Sequence, residues 1–390
     1  MIHSFQIAAS GELVFGTDSV KTLAQYIFSH RFSRVSIIVS TTFSQSDYFS
    51  QIVESCRSSE FSVVIYPVTG EPTVTSVDAL VEKIYDDESD MIVGIGGGSA
   101  LDTAKAVSSL VYYAQVNQST ASVQRFLEGV GLLAAPEGRL PLVMIPTTAG
   151  TGSEATNNAV IANIGPEGFK KSLRHETYRP DLVIIDPQFS VTVPHATTAA
   201  SGLDALTQLM EAYLSVKSNI FIDSLALPAI TQIGKALPRL LNGELENLSL
   251  RADMAYSAYV SGIAISHVGL GYVHGLAGPL GGLHGAPHGV LCGSLIGPIH
   301  KAMVNQAELE EDNTEFVRKM MCIAEAWGVH GLAGVVDHIV NIVSLAKFPT
   351  LRRYGFTVEE LYKVAKTNPR RNSPIALSEE IVSSILTSLY

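Results

Sequence analysis

Asp90–Val107 reads DMIVGIGGGSALDTAKAV, and this stretch decides the fold. Met91 to Ile95 is an apolar run with almost no alternation, the pattern of a strand covered on both faces of a parallel sheet. Gly94, Gly96, Gly97 and Gly98 crowd its end. A helical pattern then starts near Ser99, where Ser99 and Asp102 form an S-x-x-D cap signature. Backbone without Cβ atoms approaches a pyrophosphate closely, and a helix beginning there aims unpaired N–H groups and its positive dipole end at the phosphate. Taken alone, such a glycine cluster is better explained by a tight turn before a well-capped helix, so the surrounding sequence has to decide.

On the N-terminal side lie RVSIIVST (34–41), FSVVIYPV (61–68) and VDALVEKIYDD (77–87). On the C-terminal side, LDTAKAVSSLVYY (101–113) is followed by a second buried run at Leu142 to Ile145 and a last one, LVIIDP, at Leu182 to Pro187. Short β-branched runs alternating with longer amphipathic ones predict an α/β region with a parallel sheet. After Pro187 the pattern changes. TTAASGLDALTQLMEAYLS (197–215), SLALPAITQIGKALPRLL (224–241) and LRADMAYSAYVSGIAI (250–265) carry helical apolar faces without strands between them. The expected division is an α/β dinucleotide-binding domain over 1–188 and an all-α metal and substrate domain over 189–390, packed around a shared cleft.

Composition narrows the function class. A chain of 390 residues with 46% hydrophobic and 16% charged residues has the core for two domains and the balance of an enzyme rather than of a disordered regulator. Its net charge of −11 disfavours non-specific binding to nucleic acid or to an anionic membrane. Cys56, Cys292 and Cys322 are far apart and in no C-x-x-C pattern, so neither a disulfide framework nor a thiolate zinc site is expected. The opening residues show no basic region followed by an apolar run and cleavage site. The apolar stretch from Gly262 to Leu295 is broken by Gly, Pro and His, unlike a membrane span. A cytoplasmic enzyme is the expectation.

A second loop, IPTTAGTGSEATNNAV (145–160), follows the Leu142 strand and carries Thr147, Thr148, Thr151 and Ser153, hydroxyls suited to phosphate and ribose contacts. Two such loops at neighbouring strand ends make one cleft. GGGSALDTAK followed by PTTAGTGSE resembles the paired fingerprint of the iron-containing alcohol dehydrogenases. The resemblance runs from FGTDSVKTL at Phe15 through GEPT at Gly70 to NSPIALS near the C-terminus. It implies that Gly97, Gly98, Ser99 and Asp102 face the cofactor diphosphate and nicotinamide ribose, that Thr147, Thr148 and Thr151 line the same groove, and that Lys171, or else Lys170, lies near the ribose. Many relatives carry an aspartate where this chain has Thr41. An acidic residue there repels a 2′-phosphate, so Thr41 implies that NADP is tolerated or preferred beside NAD.

In the helical half Asp204 and Gln208 lie four residues apart on one helical face, and His274, His284 and His288 follow in a segment broken by Pro279 and Pro287. Imidazole and carboxylate are ligands for Fe(II) or Zn(II). By the resemblance Asp204, His274 and His288 match three of four family ligands, while Gln208 stands where the family has histidine. Gln208 is then a weak amide-oxygen ligand, is replaced by water, or marks loss of the metal; the related glycerol dehydrogenases, with one aspartate and two histidines, favour a retained three-ligand site of Asp204, His274 and His288. A second departure is Gly278, where relatives often carry a histidine. His284 is the candidate to take over its acid/base work, beside the plainer reading of a solvated loop residue.

The expectation is a metal-assisted NAD(P)-dependent oxidoreductase of small alcohols or aldehydes, a homodimer, acting without nucleic acid or membrane. The alternatives are a metal-independent reductase of the maleylacetate reductase type, whose cofactor loop STTF at Ser40–Phe43 resembles, a lyase of the dehydroquinate synthase type, and a non-catalytic nucleotide-binding protein.

Overall fold

All five strands read from the apolar runs form, and they lie in one sheet. The computed structural model describes residues 5–8, 11–57, 61–165, 168–309 and 314–390; the reading of the opening residues as lacking a leader falls partly outside them. The strands β1 (Glu12–Phe15), β2 (Arg34–Ser40), β3 (Ser62–Val68), β4 (Met91–Gly96), β5 (Leu142–Pro146) and β8 (Leu182–Ile185) pair in the order β1-β8-β5-β4-β2-β3, all parallel. Between them run α1 (Thr22–Ser29), α2 (Thr41–Ser44), α3 (Asp47–Arg57), α4 (Val74–Asp86) and α5 (Gly98–Asn117).

The missing alternation has the cause the sequence suggested. Val35, Ile37 and Val39 on β2, Met91, Val93 and Ile95 on β4 and Val143 and Ile145 on β5 pack into one core with α1 and α3. Ile38, Ile92, Leu142 and Met144 face the other way, into a core with α4 and α5. Both faces are covered, so both must be apolar. The edge strand β1 and a second, smaller sheet escaped the sequence reading. β6 (Asn158–Asn163) and β7 (Phe169–Arg174) form an antiparallel pair outside the main sheet.

The second half is helical: α6 (His195–Leu214), α7 (Ile220–Leu241), α8 (Leu248–Val268), α9 (Tyr272–His284), α10 (His288–Leu309), α11 (Thr314–Trp327), α12 (Gly331–Ala346), α13 (Val358–Lys366) and α14 (Glu379–Ser388). They enclose the largest core, with Leu203, Leu206, Leu209 and Met210 of α6 at its centre. By length and composition α7 is apolar enough to cross a membrane. Here it packs against α6, α8 and α11 and carries Asp223, Lys235 and Arg239.

Two glycine contacts tie the sheet to the helices. A Cβ on Gly150 would lie 2.8 Å from the Cβ of Ser201 on α6, and one on Gly152 would lie 2.5 Å from the carbonyl of Ala258 on α8. The β5 loop therefore reaches the helical region backbone to backbone and fixes α6, three residues before Asp204, against it.

Candidate functional site

β4 and β5 are adjacent and parallel, so their C-terminal loops are neighbours. Gly96 turns the chain at φ +149°, and Thr147 donates its N–H to the Gly96 carbonyl at 2.9 Å. Beyond the turn the loops nearly touch. A Cβ on Gly97 would come within 3.0 Å of the Thr148 hydroxyl, and one on Gly98 within 2.5 Å of the Thr151 hydroxyl. The two glycines are there because the two threonines are.

The helix start corrects one expectation. α5 begins at Gly98 with Gly97 as its cap, and no side chain bonds to its first N–H groups. Ser99 lies inside the first turn, where its carbonyl accepts from the Thr103 hydroxyl, and the S-x-x-D cap does not form. The Asp102 carboxylate is drawn away into the β5 loop, accepting from the Ser153 hydroxyl at 2.5 Å and the Val160 N–H at 3.0 Å. The helix start is thus left without a side-chain cap, the kind of N-terminus that accepts an anion.

Lys105, one turn after Asp102, was not singled out in the sequence. Fully buried, its ammonium donates to the carbonyls of Ser153 and Asn158 and the hydroxyls of Ser153 and Thr156 at 2.6–3.0 Å. Burial pulls it down to about 8. It staples the GTGSE loop to α5. Glu154 of that loop is also buried, and burial pushes its carboxyl up to about 7.

On the helical side three helices converge. Asp204 Oδ1 on α6 lies 3.2 Å from His274 Nε2 on α9 and 3.7 Å from His288 Nε2 at the start of α10. With Cys292 Sγ these donor atoms all fall within 4.8 Å of one another. The sequence Pro287-His288-Gly289 has a steric reason. A Cβ on Gly289 would clash with the carbonyl of Ala200 on α6, so only glycine lets the α10 N-terminus bring His288 to Asp204. Burial alone would raise the Asp204 carboxyl, but the facing imidazoles of His288 and His274 outweigh it and hold it below the usual carboxylate range.

Glu211, seven residues after Asp204 on α6, orients the second ligand candidate. Its carboxylate meets His274 Nδ1 at 2.8 Å and accepts the N–H groups of Gly271 and Val273 at 2.9 and 2.6 Å. It thereby caps α9 and leaves Nε2 of His274 facing Asp204, the carboxylate–histidine arrangement that supports metal ligands.

Two family models cover the chain in succession: iron-containing alcohol dehydrogenase over residues 10–187 and its C-terminal domain over 198–390. The chain belongs to the iron-containing alcohol dehydrogenase family. It is 37% identical to long-chain-alcohol dehydrogenase 1 of Geobacillus thermodenitrificans, covering 87% of this chain and 85% of that one. With the NAD-dependent methanol dehydrogenase of Bacillus methanolicus it shares 33% identity over 67% and 66% of the two chains. A crystal structure of a 1,3-propanediol oxidoreductase superposes over the full length of both chains with a TM-score of 0.85 at 25% identity. Its chemistry is that of an alcohol/aldehyde oxidoreductase acting with a nicotinamide cofactor.

Within this alcohol dehydrogenase framework the remaining candidates fall in different places. Gln208 is buried beside Asp204, but its amide oxygen accepts from the Ser261 hydroxyl at 2.8 Å and its amide nitrogen faces Asp204 Oδ2 at 3.3 Å. The weak-ligand expectation therefore meets an amide already engaged at both ends. His284 stands ten residues along α9 from His274, about 15 Å of helix rise. It pairs there with Glu360 at 3.0 Å and stacks edge-on against Phe356, and no hydrogen bond joins it to the Asp204 cluster among the described residues. Of the two lysines, Lys171 is exposed, whereas Lys170 is buried against Glu71 of the GEPT loop at 2.5 Å. Thr41 hydrogen-bonds the Thr69 hydroxyl at 2.7 Å and the Val68 carbonyl at 3.1 Å.

Sequence reasoning missed Glu211, Lys105 and Cys292. Cys292 did leave a signal, a His-x₃-Cys spacing at a helix start that puts both side chains on one face.

Proposed function

We propose that this chain catalyses reversible hydride transfer between the C4 of a nicotinamide cofactor and the carbinol or carbonyl carbon of a small alcohol or aldehyde. A divalent metal, Fe(II) or Zn(II), is held by Asp204, His274 and His288. The observation that carries this reading is the convergence of those three side chains from three separate helices. The residues fit a metal: one carboxylate, two imidazoles and a sulfur, with a buried carboxylate behind one imidazole. When bound, the metal supplies Lewis-acid polarisation of the substrate oxygen.

The rest is done by the chain itself. Gly97, Gly98 and Ser99 present the free N–H groups of α5 to the cofactor diphosphate, and Thr147, Thr148 and Thr151 line the opposite wall. Asp102 acts through Ser153 and Val160, holding the second loop in place. Glu211 fixes His274 in the orientation that offers Nε2. Gln208, tied to Ser261, steadies the second oxygen of Asp204. Holding the two reactants in one orientation contributes most of what a static scaffold offers to such a transfer. The cleft lies between the domain of residues 1–188 and that of residues 189–390. Hydroxyls of Thr41 and Thr69, rather than a carboxylate, stand at the ends of β2 and β3 and support acceptance of NADP as well as NAD.

The test is the absorbance of the reduced nicotinamide. Purified protein given NADH or NADPH and a panel of small aldehydes should consume the cofactor stoichiometrically with alcohol formation, and the reverse reaction should regenerate it. Cofactor binding without turnover across the panel would instead mark a non-catalytic nucleotide-binding protein. Substrate conversion without net nicotinamide change would mark the lyase chemistry.

A further inference from the structure

We propose that Cys292 supplies a thiolate ligand to the metal, replacing the imidazole that position 208 provides in the family, and that the resulting Asp–His–His–Cys set selects zinc over iron. This rests on the metal-assisted reading above and deepens it by naming the fourth donor.

Position 208 cannot easily act as that donor, because the Gln208 amide oxygen is taken by Ser261 and its nitrogen has no lone pair to give. Cys292 lies where a donor is needed. It is one helical turn after His288, and its sulfur is 3.6 Å from His288 Nε2. Its side chain is wholly buried, yet the sulfur points into the cluster of Asp204, His274 and His288 rather than only into the helical core.

The spacings suit one ion. Two nitrogen or oxygen ligands about 2.0–2.1 Å from zinc at tetrahedral angles stand about 3.3 Å apart, and a nitrogen and a sulfur ligand about 3.5 Å apart. The observed edges are 3.2 Å for Asp204 with His274, 3.7 Å for Asp204 with His288 and 3.6 Å for His288 with Cys292. The remaining three edges also lie within 4.8 Å, so the four donors surround a single centre.

Charge and softness favour the same ion. One carboxylate and one thiolate balance a dication, whereas the family set as implied here has a single anionic ligand. Loading releases the thiol proton to solvent as the sulfur–metal bond forms. A thiolate is a softer donor than imidazole, which moves preference away from Fe(II) and toward Zn(II). The His288 side chain is 31% exposed while the side chains of Asp204 and His274 are at 3% and 4%. The cluster is therefore open on the His288 side, where a substrate oxygen would enter.

Metal-free protein loaded with Co(II), a spectroscopic stand-in for zinc, reports the donor directly. A thiolate ligand gives an intense sulfur-to-metal charge-transfer band in the near ultraviolet that carboxylate and imidazole do not give. The wild type should show that band. Cys292→Ser should lose it while keeping weaker visible bands of bound Co(II), and its zinc affinity should fall by more than the roughly 10–100-fold that loss of an outer-shell partner costs. Stoichiometric Co(II) binding by the wild type without the band, or a band that persists in Cys292→Ser, would overturn the role of Cys292 and leave the dehydrogenase reading standing. A wild type that takes up neither Co(II) nor Zn(II) would overturn both. The wild-type spectrum decides even where the variant folds poorly.

Discussion

At the cofactor loops the fit is made by backbone, with Gly97 and Gly98 pressed against Thr148 and Thr151. At the Asp204 cluster it is made by side chains delivered from α6, α9 and α10. The first kind of site has little freedom, since a side chain at Gly98 collides with Thr151 and one at Gly97 meets the Thr148 hydroxyl at 3.0 Å. In the second, a donor lost from one helix is replaceable by a donor from another, provided the sulfur or nitrogen reaches the same point. Gln208 and Cys292 are that exchange. The cofactor loops keep the GGGSALDTAK and PTTAGTGSE fingerprint, with a departure at Thr41 beside them, while the metal half departs at Gln208 and Gly278.

The contrast is sharpest under substitution. Gly98→Val forces a side chain into Thr151 and should cost about 1–3 kcal/mol of packing, so that dissociation of NADH, followed by its fluorescence, weakens about tenfold to a hundredfold while bound metal is unchanged. Equal cofactor affinity in this variant would break the backbone account of that loop. Glu211→Gln acts on the other half. Metal affinity should fall roughly 10–100-fold through disorientation of His274, measured by competition with a chelating dye, with NADH binding retained. Loss of both together would show the two regions to be one cooperative unit.

A third test concerns Glu154, in the loop that joins the two, and is read in stability rather than in binding. Its carboxyl is raised by burial from an ordinary 4.5 to about 7 in the folded protein, so its contribution to stability is fully present below pH 4.5 and is lost as pH rises through 7. Glu154→Gln removes a charge that burial penalises by about 3 kcal/mol. The variant should therefore lose less stability than the wild type between pH 5 and pH 8 in urea titrations. Parallel curves for the two proteins would show that Glu154 has partners strong enough to offset its burial.

Much of this was legible in the chain. The buried strands announce themselves because a sheet covered on both faces has no polar side to show, and the paired loops do so because glycines and threonines must meet. The β6–β7 pair did not, since NAVIAN and FKKSLR carry neither an unbroken apolar run nor a turn signature strong enough to mark a hairpin. The cap at Ser99 was misread because the spacing of Ser99 and Asp102 is the same whether the carboxylate turns back to the helix or out to Ser153, and only the arrival of the β5 loop decides. Glu211 and Cys292 were invisible for a related reason. Both sit in helical apolar patterns where burial is expected, and what gives them chemistry is the approach of α9 and α10 to α6, which depends on Gly271 and Gly289 and not on local spacing.

The central claim is that the Asp204 cluster holds a metal that the reaction needs. Protein stripped with a chelator and freed of it should bind NADH normally, reduce none of a small aldehyde that the untreated protein reduces, and regain activity on addition of one equivalent of Zn(II) or Fe(II). Undiminished aldehyde reduction by the stripped protein, with its metal content verified as nil, would contradict the account and make this chain a metal-independent reductase.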